Sequence, residues 1–105
     1  MKTGIELIAA ERARQINVKG WTPEHDDKHT DSELGFAACY YAMPCLIRVD
    51  GVTVAPIDLF PDTWSEAGAK RSYDRIRDLA KAGALIAAEI DRLQRQSGDC
   101  HEQSR

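Results

Sequence analysis

Between Gly20 and Glu33 the chain places two histidines, His25 and His29, among five carboxylates, Glu24, Asp26, Asp27, Asp31 and Glu33. Imidazole nitrogens and carboxylate oxygens within so short a reach are the donors divalent cations use, so His25, Asp27 and His29 form a candidate set for Mg²⁺ or Zn²⁺. Histidines at i and i+4 converge on one metal when they lie on a helix. Here Pro23 and a cap expected at Thr30 place them on a loop, with no cysteine nearby as a further zinc ligand. The same carboxylates have a plainer use. Anionic groups ahead of a helix are stabilised by its dipole, by roughly 0.3–1 kcal/mol each, and can pair with Arg12, Arg14 or the cations of a later helix.

A second constellation is cationic. Arg12, Arg14, Arg71, Arg75, Arg77 and Lys81 could hold phosphates, and Trp21 could stack on a base. Arginines at i and i+2 diverge on a helix, so one member of Arg12/Arg14 and of Arg75/Arg77 faces solvent. The plainer alternatives are a solvated helix start and a tryptophan that covers the core. The candidate ligand- or partner-binding residues are therefore Arg12, Trp21, Glu24, His25, Asp26, Asp27, His29, Arg75, Arg77 and Lys81. A strand–turn–helix nucleophile elbow and a glycine-rich phosphate loop are both missing from the sequence, so no residue is assigned a catalytic role.

The elements that must position these groups are legible from spacing. Ile5, Ile8, Ala9 and Arg12 recur at helical intervals after a capping Thr3, which predicts a helix over 4–16. Thr30-x-x-Glu33 has the form of a capping box and predicts a helix over 31–42, nearly apolar all round and hence central. Cys45 to Ala55 reads as a hairpin turning at Asp50-Gly51, with Val49 opposite Val52 and Ile47 opposite Val54. Such a ribbon is marginal alone and must lean on the helices or on another subunit. Pro56 to Trp64 is a proline-bounded loop whose aromatics pack on the core or form an interface. The longest helix runs over 72–96, with Ile76, Leu79, Gly83, Ile86, Ile90 and Leu93 at alternating three- and four-residue steps and alanines keeping its flanks slim. The expected fold is mainly α with a β-hairpin: three helices, the hairpin between the second and third. One domain spans 1–97, and 98–105 is a polar tail.

Bulk properties narrow the function. At 105 residues the chain supports one domain and a modest core. A formal charge of −3, from 14 basic and 17 acidic residues, provides no field for nucleic acid, so direct nucleic-acid binding is not expected. No apolar run is long enough to span a bilayer and the amino terminus has no secretory pattern, which points to the cytoplasm. Three cysteines without metal-ligand spacing read as free thiols, Cys39 and Cys45 in the core and Cys100 in the tail.

Glu11-Arg12-Ala13-Arg14-Gln15 and the alanine-rich Ala80 to Arg92 resemble the first and last helices of the all-helical MazG-like nucleotide pyrophosphohydrolases. That resemblance implies Mg²⁺-dependent hydrolysis with ligands from a Glu-Glu-x-x-Glu helix. The corresponding helix here, Glu33 to Cys39, departs from the pattern in holding a single acid. A fuller resemblance, over almost the whole chain, is to a family of small phage and prophage proteins. It rests on Glu11 to Gln15, Gly20 to His29, Glu33 to Tyr40 and Lys81 to Leu93, and it implies a phage origin more than a reaction. By analogy with accessory phage factors, the expected function is counter-defence by stoichiometric binding in the host cytosol. The partner would be a host defence protein such as a CRISPR effector, met by an acidic loop that mimics phosphates, or a signalling nucleotide held by the cations. The slim alanine face, the hairpin edge and Trp64 suggest a homo-oligomer.

Overall fold

The computed structural model describes residues 1–61, 64, 71, 72 and 74–97. It is mainly helical with one two-stranded antiparallel hairpin, the expected α+β class. The elements are α1 (Gly4–Asn17), α2 (Pro23–Asp26), α3 (Glu33–Ala42), β1 (Ile47–Val49), β2 (Val52–Val54), a 3₁₀ turn (Pro56–Leu59) and α4 (Arg75–Ser97). The added helix, α2, is a single turn inside the expected loop. Thr22 caps it and Pro23 supplies its first position, where a missing N–H costs nothing. The tail from residue 98 and Cys100 lie outside the described residues.

Thr3 caps α1 through a reciprocal box: its hydroxyl accepts the Glu6 amide at 3.2 Å, and the Glu6 carboxylate accepts the Thr3 amide at 2.7 Å. The cap expected at Thr30 is replaced by Ser32, in the left-handed region at φ 64° and without a side-chain cap bond. Glu33 instead accepts the Asp31 amide at 2.9 Å. The two-residue displacement leaves Thr30 exposed in the connection and moves His29 further from the helix start.

The core forms where α3 lies against α4. Leu34, Ala37, Ala38, Tyr40 and Tyr41 meet Ala82, Leu85 and Ala88, with Phe60 sealing one end. The alanines let the two helices approach closely, as their small side chains suggest. Phe60 and Trp64 are thus core-packing rather than free: Phe60 makes edge contacts with Tyr40 and Trp64, at centroid distances of 5.2 and 5.7 Å.

Three expectations are corrected. Cys39 and Cys45 are exposed, because Cys39 falls on a stripe of α3, shared with Phe36, that none of the described residues covers, and Cys45 precedes the open hairpin. The hairpin has the expected register, and Asp50 and Gly51 both take positive φ at its turn. Its apolar residues Ile47, Val49 and Val52 are exposed in the single chain, so of the two supports expected for the ribbon, the described helices do not cover these three side chains. On α1 the buried face is Glu11 and Gln15, with Ile5 and Ala9 outward. Burial of Glu11 is tolerated because Arg14 grips its carboxylate with two bonds of 3.0 and 2.7 Å. On α4 the buried side is Asp78, Ala82, Leu85, Ala88 and Arg92, while Ile76, Leu79, Ile86, Ile90 and Leu93 face out. Of the stripe, Gly83 lies against Ile8 of α1, and the described residues leave the larger side chains largely exposed.

Candidate functional site

Four rings from three segments gather beside α2. The Trp21 and His25 rings lie parallel, 2° apart in plane with centroids at 6.0 Å. His25 meets His29 edge-on at 5.0 Å, and His29 meets Trp64 at the same distance. The α2 turn makes this possible, since it folds the chain so that His25, on the helix, and His29, three residues beyond its end, share one side. Trp64 comes from a segment 35 residues away and donates its indole N–H to His29 Nδ1 at 3.3 Å.

His29 Nδ1 thus sits between two groups, accepting from Trp64 and lying 3.6 Å from a Glu33 carboxylate oxygen. His25 Nδ1 lies 3.4 Å from Asp26 Oδ1, a long contact that orients its ring.

Two of the five loop carboxylates are held by the chain's own cations. Asp26 is fully buried and accepts from Arg12 at 2.8 Å, with that guanidinium itself only 13 % exposed. Asp27 turns the other way, to Arg95 of α4, which holds it with bonds of 2.7 and 3.0 Å and also donates to the Pro23 carbonyl. Arg12 and Arg95 therefore staple α2 to α1 and to α4. Asp26 and Asp27 thus tie the loop to its neighbouring helices, one of the two uses its composition allows. Arg14, the other candidate partner from α1, serves Glu11 instead.

The candidate metal set His25, Asp27 and His29 is not brought together. The two imidazoles are adjacent, but the third donor points to Arg95. Among the described residues no group of three or more His, Cys, Asp or Glu side chains is arranged to hold a metal ion. Glu24 is exposed at the start of α2. The binding residues also separate in space, with Arg12, Trp21, His25, Asp26 and His29 around α2 and Arg75, Arg77 and Lys81 at the other end of α4.

At that second end the charges are less compensated. Among the described residues Arg75 and Arg77 form no ion pair; Arg75 donates to the Ala42 carbonyl at 2.8 Å. The Lys81 ammonium lies 5.3 Å from the centroid of the Tyr41 ring. Burial, first, and the neighbouring charge of Arg77 hold its pKa below the ordinary lysine value. Arg14 lowers it further, while Glu11 and Asp78 act in the opposite sense. Arg14, Arg77 and Lys81 are thus close enough to interact, with Glu11 and Asp78 among them.

Sequence reasoning misses Trp64, Arg92 and Arg95. Arg92 is buried at the middle of a network, bonded to both Glu89 oxygens and to Gln96. Nothing in local spacing ties residue 27 to residue 95 or residue 29 to residue 64. Compared with known proteins, the chain matches no family model, no curated protein and no solved structure. No helix among the described residues is long and apolar enough to cross a membrane.

Proposed function

We propose that the chain is a stoichiometric binding protein that sequesters an anionic signalling nucleotide, serving phage counter-defence in the host cytosol as a homo-oligomer. The phage context comes from the motif resemblance. One observation carries the choice of ligand: Asp26 and Asp27 are occupied by Arg12 and Arg95, whereas Arg75 and Arg77 make no ion pair among the described residues. Occupied carboxylates are poor ligands for the Mg²⁺ of a MazG-like hydrolase and poor mimics of nucleic-acid phosphates for a CRISPR effector. A phosphate beside Arg77 and Lys81 would relieve the like-charge repulsion that, after burial, holds the lysine's pKa down.

The test is calorimetric titration with a panel of linear and cyclic nucleotides in the presence of Mg²⁺, followed by heat denaturation and mass analysis of the released small molecule. Saturable binding with intact ligand recovered is expected. Arg75→Glu with Arg77→Glu should weaken it by at least about tenfold, since each charge-assisted hydrogen bond contributes roughly 1.5–3 kcal/mol. Recovery of a cleaved product would replace sequestration with hydrolysis. Absence of binding across the panel would leave these cations as a solvated helix start.

A further inference from the structure

Among the described residues the outer face of α4 is apolar along its length and largely exposed: Ile76, Leu79, Ile86, Ile90 and Leu93 are 44–65 % exposed. With Gly83 these α4 positions step by three and four residues without interruption, the repeat by which one helix presents a continuous seam to another, and none of them carries a charge. We propose that this face is the contact surface of a homodimer, in which α4 packs antiparallel on α4 of a second copy about a two-fold axis between Gly83 and Ile86. The inference rests on the self-association proposed above and names its surface.

Shape selects the antiparallel arrangement. Gly4, Leu7, Ile8, Ile76, Leu79 and Ala80 line an open apolar hollow of about 190 Å³ at the amino-terminal end of the stripe. The carboxyl-terminal end carries the protruding Ile90 and Leu93. A two-fold axis at the middle sets Ile76 opposite Leu93, Leu79 opposite Ile90, and Gly83 opposite Ile86 of the second copy. Each hollow then receives a side chain from the other chain, the self-complementarity an isologous interface requires. Parallel packing would set hollow against hollow and leave both unfilled.

The middle of the seam is also prepared. A Cβ on Gly83 would come within 2.5 Å of Ile8 Cδ1, so the glycine lets α1 lie close beside α4, flanking the stripe rather than standing off from it. The exposed parts of the five α4 side chains, counted on both chains, need the atoms lining the two hollows as well to reach the lower bound of stable interfaces, about 1,200 Å² in total.

Sedimentation equilibrium of the full chain at on the order of 10 μM tests the seam. A dimer is expected, and Ile86→Glu with Ile90→Glu should halve the mass to the 11.7 kDa of one chain. Both positions are exposed in the protomer, so an unchanged circular-dichroism spectrum shows that the variant is folded. In a background with Cys39, Cys45 and Cys100 replaced by serine, Leu79→Cys combined with Ile90→Cys should cross-link into a dimer on oxidation, and Ile90→Cys alone should not. A monomeric unaltered chain, a dimeric double-glutamate variant, or cross-linking by Ile90→Cys alone would each overturn the proposal. Mass and nucleotide retention are read separately: a monomer that retains nucleotide fails the seam only, and a dimer that retains none fails the sequestration only.

Discussion

Replacing Asp26 by alanine should unfold the chain far more readily than its position in a polar loop suggests. Asp26 is fully buried, and its partner Arg12 is 13 % exposed, with the Nη1 atom buried and lacking a hydrogen-bond partner among the described residues. Removing the carboxylate leaves a guanidinium that is largely desolvated and uncompensated. Breaking a buried pair from one side costs about 3–5 kcal/mol, and the residual solvent access of Arg12 places the expected loss near the lower figure, about 3 kcal/mol. Against a total of roughly 5–15 kcal/mol for a domain, that is a large fraction. With a urea m-value of about 1–2 kcal/mol/M, the unfolding midpoint should fall by about 1.5–3 M at constant slope, followed by circular dichroism. Replacing both partners with apolar residues, Arg12→Met with Asp26→Leu, should recover much of the loss because no buried charge is left unpaired. A loss below about 1 kcal/mol for Asp26→Ala would refute the argument, since Arg12 would then have to reach water without cost.

Asp27→Ala, by contrast, removes a pair whose side chains are 48 % and 34 % exposed, and should cost less than about 1 kcal/mol in the same urea assay. Gly83→Ala gains helix propensity but drives a methyl into Ile8, so the melting temperature should fall by the equivalent of about 1 kcal/mol, and Ile8→Val should restore part of it. Cys39 and Cys45 should both react with a thiol reagent in the absence of denaturant, as counted by intact-mass shift. Burial pushes the Asp78 carboxyl up, but the Ser72 amide and hydroxyl, with Arg71 and Lys81, outweigh it and hold its pKa below the usual carboxylate range. The stability it contributes is therefore present above the ordinary carboxylate pKa and lost as pH falls through the lower folded value. In Asp78→Asn, urea stability should accordingly fall less between pH 7 and strongly acidic pH than in the unaltered chain.

What the sequence determined by itself was local. Thr3 caps the first helix, Asp50-Gly51 sets the hairpin register, and the alanines of the last helix announce close helix packing, because caps, turns and periodicities act over a few residues. The candidate site was half legible in the same sense. His25 and His29 were identifiable as neighbours and the loop carboxylates as partners for arginines, but which arginine served which carboxylate was not. Arg95 reaches Asp27 across 68 residues and Trp64 reaches His29 across 35, and only packing brings such groups together. Tertiary structure also decided which stripes of α1 and α4 face inward. Periodicity shows that a helix has an apolar side, but not what that side meets. Within the protomer the alanine flank of α4 takes the core, since it admits α3 closely, and the larger Ile and Leu side chains are left facing outward.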